Sequence, residues 1–198
     1  MARKEEGPVI IRYISVVLLV ATMAVVAAVV ASAAEATEVS STTFITVNTC
    51  SGETIDLSSE EKQVLDLHNS ARRHHGRKPL CVNPILEYAA RAHSQQMLDK
   101  DYFSHNSFNG ETLEERLADF GYTCGVCSFW RYGENIYWGS GSYGTPDRAF
   151  KWWMNSPGHR ANILNKYYRE VGIGIRTGTF KTYSGTMMYT VDFGVRKY

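Results

Sequence analysis

The most apolar stretch of this chain lies between Ile14 and Ala34 and contains no charged side chain. Basic residues precede it and acidic residues follow it, which is the asymmetry of a segment whose N-terminus stays in the cytoplasm. The run matches the ~20 residues that cross a bilayer, yet Ala31-Ser32-Ala33 has the composition of a signal-peptide cleavage site. Residues 1–34 are therefore predicted to be either a single-pass transmembrane signal anchor or a signal peptide cleaved near Ala33. Both alternatives make the remainder extracytoplasmic.

Beyond this segment, polar residues at helix starts predict four helices. Residues 35–57 are rich in Ser and Thr without apolar periodicity and are predicted to be a stalk. Ser58 and Glu61 have the spacing of a capping box, which predicts a first helix. Asn83-Pro84 predicts the start of a second helix, because proline is favoured in the first turn. A third helix is predicted from Thr112 to near Gly121 and a fourth from Thr145-Pro146.

The period of the pattern then changes from that of helices to that of strands. Apolar residues alternate with glycine in 171–175 and with polar residues in 187–193, and the segment between them has turn composition. This pattern predicts an antiparallel hairpin, and Ile136-Tyr137-Trp138 predicts a third strand. Because Gly172 and Gly174 leave one sheet face without side chains, a helix or ligand can approach closely there. Helices followed by strands predict an α+β domain.

Length and charge narrow the function. One domain with an N-terminal extension fits 198 residues. The whole chain has a net charge of +1, and without residues 1–34 the charges balance. A neutral total gives no overall field to attract nucleic acid, so we expect no nucleic-acid partner and a function that depends on a local site.

The cysteines Cys50, Cys81, Cys124 and Cys127 suit an oxidising compartment, where four of them permit three disulfide pairings. We favour Cys50–Cys81 with Cys124–Cys127, although the sequence does not decide among the three. A redox motif at Cys124-x-x-Cys127 would need a neighbouring βαβ pattern, and a zinc ribbon would need a second CxxC. The glycine-rich run 139–144 matches a dinucleotide fingerprint, but too little chain follows for a parallel sheet.

Ionisable residues beside glycine and asparagine mark the candidate site. They are Phe103-Ser104-His105, Gly133-Glu134-Asn135 and Ser156-Pro157-Gly158-His159 with Asn162. Histidine titrates near neutral pH and is the commonest metal ligand, and a carboxylate beside it fixes its tautomer. Both histidines are expected in loops.

These motifs resemble the CAP superfamily of secreted proteins (SCP/TAPS; cysteine-rich secretory protein, antigen 5, pathogenesis-related 1), over about Leu65 to Phe193. The resemblance implies an α–β–α sandwich around a small antiparallel sheet, here a CAP domain over 58–198. It also implies a cleft tetrad of His105, Glu115, Glu134 and His159. Glu115 also has a complete explanation as the partner of Thr112 in a capping box, and Glu114 is its rival.

In CAP proteins the two histidines can hold a divalent ion, often zinc, which implies His105 and His159 as metal ligands here. Two imidazoles are too few for a closed site, so we expect an open, weak one. Asn135 and Asn162 are expected to support the cleft, and Asn69 to brace neighbouring loops.

Three functions remain open. The first is an extracytoplasmic CAP domain that binds a divalent metal and an unidentified ligand or partner protein, tethered to the membrane by its N-terminal segment. The alternative is a metal-assisted or general-base hydrolase that uses the same tetrad as catalytic candidates. No G-x-S-x-G or H-E-x-x-H occurs in the sequence, which favours binding. A third hypothesis treats the tetrad as a structural network.

Overall fold

A computed structural model describes residues 43–197. The predictions for residues 1–34 and for the first part of the stalk lie outside these residues. Within 43–197, no helix combines the length and the apolar character that crossing a membrane requires. The described elements are β1 (Phe44–Asn48), β2 (Thr54–Ser58), α1 (Ser59–His74), β3 (Cys81–Val82), α2 (Pro84–Asp99), α3 (Leu113–Asp119), β4 (Phe129–Ser140), α4 (Pro146–Asn155), α5 (Pro157–Ile163), β5 (Glu170–Phe180) and β6 (Tyr183–Lys197), with a 3-10 turn at Gly141–Tyr143.

The central sheet has four strands in the order β3-β5-β6-β4. The pairs β5–β6 and β4–β6 are antiparallel, as predicted, whereas the short β3 runs parallel to β5. Strand β4 is longer than the three residues predicted, and the turn between β5 and β6 is shorter. One end of the sheet is β4, so any site on it lies at a sheet edge.

Helices cover both faces of this sheet, which confirms the predicted α–β–α sandwich. Residues such as Ile173 and Val191 pack against α1, α4 and α5, where Trp153 is fully buried. The opposite face packs against α2. A Cβ atom at Gly172 or Gly174 would overlap the backbone of α2 at Leu86 or Ala90. The two glycines therefore let helix and strand backbones touch, as their alternation predicted.

The predicted helix starts are confirmed. Ser58 and Thr112 each form a reciprocal capping box, and Asn83 accepts hydrogen bonds from the first amides of α2. Thr145 precedes α4 but its side chain caps no amide. Local sequence thus determines where these helices begin.

The stalk prediction is wrong for the residues that the structure describes, 43–57. These residues form the antiparallel hairpin β1–β2, and Leu57 is fully buried in the main core. Thr49 also pairs with Val82, and Cys50 is bonded to Cys81, so the hairpin is attached to the edge of the central sheet. The folded domain therefore includes β1 and β2 and does not begin at Ser58.

Both favoured disulfides are present. Cys50 and Cys81 join the hairpin to β3 with a Cα–Cα distance of 5.1 Å. Cys124 and Cys127 close a short loop before β4 with a Cα–Cα distance of 5.4 Å. The pairing agrees with the structural interpretation of the CxxC, and sulfurs joined in a disulfide are not free thiolates for zinc.

Candidate functional site

The candidate site is built on the edge strand β4, where successive side chains point to opposite faces of the sheet. Glu134 points toward α2 and α3, while Asn135 points toward α5. Residues from both helical layers can therefore meet at this edge.

His105 lies in the segment after α2, as predicted, and its Nδ1 is 2.7 Å from Glu134 Oε1. The His105 side chain is 55% exposed, whereas that of Glu134 is 1% exposed. The buried carboxylate thus accepts a hydrogen bond from Nδ1–H, which leaves Nε2 of the neutral ring as an accessible base or ligand atom.

Arg116 completes the environment of Glu134, and it was not among the site residues predicted from the sequence. Its Nη2 lies 2.6 Å from Glu134 Oε2, and its Nη1 donates to the His105 carbonyl at 3.1 Å and to Ser107 Oγ at 3.2 Å. The same guanidinium therefore neutralises the carboxylate and holds the backbone of His105. Its position between Leu113 and Leu117 on the buried helix face was the available sequence signal.

The structure does not bring Glu115 into this group. Its carboxylate accepts from the Thr112 amide and hydroxyl, both at 2.8 Å, which lowers its pKa. No hydrogen bond joins it to His105, Glu134 or His159 in the part of the chain that the structure describes. Successive helical residues differ by 100°, so Glu115 and Arg116 face different surroundings. The rival, Glu114, accepts a hydrogen bond from the Tyr132 hydroxyl at 2.6 Å.

His159 reaches the edge from the other layer. It lies in α5, so the prediction of a loop was wrong, because Pro157 after Ser156 starts a short helix. Its Nδ1 is 2.7 Å from Ser156 Oγ, and its ring centroid is 4.8 Å from that of Trp152. Partial burial lowers the pKa of His159, and the charge of His105 lowers it further. The two histidines therefore influence each other across the strand.

Two of the predicted supporting asparagines join α5 to β4. Asn135 Nδ2 donates to the His159 carbonyl at 3.0 Å. Asn162 Nδ2 donates to Asn135 Oδ1 at 2.9 Å and to the Glu134 carbonyl at 3.1 Å. Asn69 instead exchanges two hydrogen bonds with the Leu80 backbone and braces the end of α1, as expected. The amides of Asn135 and Asn162 thus fix α5, which carries His159, to the strand that carries Glu134.

A second buried layer of ionisable groups lies beneath Glu134. Asp192 is its cross-strand neighbour on β6 and is fully buried, with no hydrogen bond to either oxygen within residues 43–197. Burial, and then the charge of Glu134, raise the pKa of Asp192 well above its usual range. Its sequence signal was an acid between Val191 and Phe193 in a central strand.

His93 is a hydrogen-bonded core histidine on the buried face of α2. Its Nε2 lies 2.9 Å from the Ser104 carbonyl and 3.9 Å from Glu134 Oε2. Burial lowers the pKa of His93 to about 4. The neutral ring therefore supports the segment that carries His105.

The donor set suits only an open metal site. Among residues 43–197, no group of three or more His, Cys, Asp and Glu side chains is arranged to hold a metal ion. Glu134 is engaged by His105 and Arg116, so it does not serve as a third ligand. The Nε2 atoms of His105 and His159 are the available donors. Each ring is oriented by a hydrogen bond at its Nδ1, as the rings of metal-binding histidines are.

Two open depressions occur near the site. One, of about 450 Å³, is lined by residues of α4 and α5 that include Arg160 but not His159. The other, of about 490 Å³, includes Glu115 with Glu111 and Asp119. Glu115 thus faces an acidic surface rather than the two histidines.

Comparison with known proteins identifies the family to which this chain belongs. The model of the CAP family, the cysteine-rich secretory protein family, matches residues 65–193. In Bacillus subtilis, the uncharacterized protein YkwD is 38% identical over 136 residues, covering 68% of this chain and 50% of the relative. The uncharacterized membrane protein YlbC is 36% identical over 118 residues, covering 60% and 32%. This chain therefore spans half or less of the length of these relatives.

Solved structures show the same fold. An extracellular SCP-domain protein of Bacillus anthracis matches with 29% identity and a TM-score of 0.53, covering 69% of this chain and 40% of that one. An outer surface protein of Borrelia burgdorferi matches with a TM-score of 0.57 and 19% identity, covering 78% and 100%, and this likeness concerns the fold alone. With two thirds of its length matched by the family model, this chain belongs to the CAP (cysteine-rich secretory protein) family.

Proposed function

We propose that this protein is an extracytoplasmic CAP domain that binds a divalent metal ion, and with it a ligand or partner protein, at the edge of β4. The similarity to a protein described as extracellular supports the location. A relative described as a membrane protein is compatible with a membrane tether at residues 14–34, which lie outside the described residues. The binding function itself rests on the chemistry of the two histidines.

One observation carries this proposal. His105 and His159 come from opposite helical layers, and each is oriented by a hydrogen bond at Nδ1, from Glu134 and Ser156. Orienting two rings in this way leaves both Nε2 atoms for an external species. His105 and His159 would hold the ion, and a bound ion would supply positive charge for an anionic ligand group. Because two protein ligands are few, the ligand or water must complete the coordination.

One observation, the His105–Glu134 pair, supports the hydrolase alternative. A carboxylate that accepts the Nδ1 proton raises the basicity of Nε2, which is the arrangement of a general base for water. A hydrolase panel compares the wild type with Glu134→Gln, which removes the negative charge while retaining the shape. Activity that persists in both His105→Ala and Glu134→Gln would exclude this base.

A zinc titration tests the binding proposal. Residues 36–198 contain every element described above, and calorimetry at neutral pH compares wild type with His105→Ala and His159→Ala. His74→Ala is the matched control, because His74 is an exposed histidine at the far end of α1. We expect one ion per chain, lost in both site variants and retained in the control.

The affinity for zinc should also decrease when the pH is lowered below about 6.5, because the ligand nitrogens must be unprotonated. Equal zinc binding by wild type and both site variants would contradict the metal proposal. Loss of the cooperative unfolding transition in the site variants would instead support the structural-network hypothesis.

A further inference from the structure

The balanced total charge conceals an uneven distribution. Residues 67–86 and 148–169 contain no Asp or Glu, and the fold brings these two segments together. Arg77 Nε donates to the Leu164 carbonyl at 3.1 Å, and Arg160 Nη2 lies 3.3 Å from His75 Nε2. The buried Arg72 binds carbonyls of both segments. One surface of the domain is therefore formed by chain that carries only positive charge.

We call this surface the basic face. It comprises Arg73, Arg77, Lys78, Arg160, Lys166 and Arg169, together with His74 and His75. All but Arg169, which is half-buried, are exposed. Within residues 43–197 none of the six permanent cations forms an ion pair with a carboxylate, whereas Lys62, Arg91 and Arg116 elsewhere do. The basic face is thus an uncompensated cluster of charge.

The cations are close enough to affect one another. Burial lowers the pKa of Arg72 to about 10, and repulsion from Arg169 and Arg77 contributes. Arranging like charges in this way costs folding free energy unless an anion neutralises them. The carboxylates that balance the total lie outside these two segments, so the field of the basic face is not cancelled locally.

The chemistry of the face identifies the kind of anion. Arginine forks bind phosphate oxygens in bidentate geometry, and several cations on one surface suit a chain of phosphates rather than one. A basic cluster can also bind the phosphates of an anionic bilayer electrostatically, but stable seating there usually adds the insertion of apolar side chains, and the basic face is defined by cations and imidazoles. Tyr167 is the large aromatic side chain at this face, and its ring is covered by Arg131 at 4.9 Å and Lys166 at 5.1 Å. Tyr167 is 38% exposed, but two cations lie over this single ring, whereas proteins that bind single-stranded nucleic acid stack successive bases on several open aromatic rings.

We propose that the basic face binds a linear phosphate polymer that is not a nucleic acid. The polymer would lie across the ends of α1 and α5, with the cations contacting successive phosphates. This proposal does not use the His105–Glu134 pair and goes beyond the function proposed for that site. Such binding is electrostatic and releases counterions, so it must weaken steeply with salt.

The test uses the full-length protein in a neutral detergent with fluorescein-labelled linear polyphosphate as the probe. Fluorescence anisotropy at several salt concentrations gives the slope of log K against log salt, which is about −4 for six contacts at ~0.7 per phosphate. Replacing Arg73, Lys78 and Lys166 by Gln removes three cations whose side chains form no hydrogen bond among the described residues, and it should reduce the slope to about −2. Lys62, Lys100 and Lys181 changed to Gln are the matched control, expected to bind as wild type does.

Three further arms separate the sources of phosphate. Inorganic phosphate alone should compete weakly, a single-stranded oligonucleotide should bind no tighter per phosphate than polyphosphate, and phosphatidylglycerol mixed micelles should not displace the probe at equal phosphate. His105→Ala with His159→Ala should leave binding unchanged. An unchanged slope in the basic-face variant, equal loss in the control, or preference for the oligonucleotide or the lipid would each overturn the proposal.

Discussion

Removing the guanidinium of Arg116 should destabilise the domain strongly. Arg116→Met retains much of the side-chain volume but leaves the Glu134 carboxylate, whose side chain is 1% exposed, without the cation 2.6 Å away. Breaking a buried ion pair by removing one partner costs about 3–5 kcal/mol, because the remaining charge is buried and uncompensated.

Urea denaturation of four proteins isolates this interaction: wild type, Arg116→Met, Glu134→Gln and the double variant. If the pair is coupled as its geometry indicates, the double variant is more stable than the sum of the two losses predicts, with a coupling free energy of about 2 kcal/mol or more. Lys62→Met with Asp66→Asn provides the exposed control cycle, since that pair also lies within 2.6 Å but in solvent. Its coupling should be about 0.3–0.5 kcal/mol.

Similar coupling in the two cycles would refute the reasoning, because it would show that burial adds nothing to the Arg116–Glu134 pair. A loss below about 1 kcal/mol in Arg116→Met would refute it equally, since a buried carboxylate without its cation cannot be that inexpensive.

Three other changes probe the packing, the disulfide and the buried carboxyl. Gly174→Ala should cost about 3 kcal/mol in denaturation, because the added methyl meets the Ala90 backbone, whereas Gly178→Ala meets only a side chain and should cost less; equal losses would contradict this. Cys50→Ser should cost about 3–4 kcal/mol of folding free energy, as expected for a disulfide with a sequence separation of 31. Thermal denaturation checks this: the melting temperature of the variant should fall by no more than that of the wild type does under reducing conditions. Burial raises the pKa of Glu87 from 4.5 to about 8, so the folded state retains a proton that the unfolded state releases. The free energy of unfolding should therefore fall as the pH rises between these values. Glu87→Gln should flatten this fall in denaturation measured at several pH values, and an unchanged slope would argue against a buried neutral carboxyl.

Local signals in the sequence predicted most of the fold. Capping boxes at Ser58 and Thr112 are satisfied by residues three positions away, so no tertiary information is needed to find these helix starts. The alternating Gly172 and Gly174 predicted a close helix, since only glycine tolerates such an approach.

The hairpin at 44–58 was missed because its strands bury little. Leu57 is its fully buried apolar residue, and most of β1 is exposed. Strand β2 does alternate, with Ile55 and Leu57 more buried than Thr54 and Asp56, but the run is only five residues long. Its attachment comes from the Cys50–Cys81 bond and from pairing with β3, both of which join positions distant in sequence. Threonine-rich composition is compatible with a stalk and with a strand alike, because Thr favours extended backbone.

The candidate site was predicted in part for a related reason. His105, Glu134 and His159 occur in motifs that a sequence displays directly, and the structure places the three at one sheet edge. Arg116 and Asp192 become meaningful only when burial is known, because a charged residue on a helix or strand is ordinarily a solvated one. Glu115 was chosen by residue type, which does not show that its carboxylate is already hydrogen-bonded to the Thr112 amide at the start of α3.

The placement of Arg116 changes what the site can do. Two histidines with two free carboxylates would offer four ligands and a strongly anionic centre, whereas here one carboxylate is neutralised by a guanidinium and shielded from solvent. The remaining accessible groups are two imidazoles whose charge depends on pH, with His159 biased toward the neutral form by burial and by His105. If the site binds a metal ion as proposed, neutral imidazoles would hold the cation above the ordinary histidine pKa, and below that pH the protonated rings would be hydrogen-bond donors for an anion. The edge of β4 is therefore suited to a ligand that exchanges readily, and the pH dependence of zinc binding would distinguish it from a permanent structural metal centre.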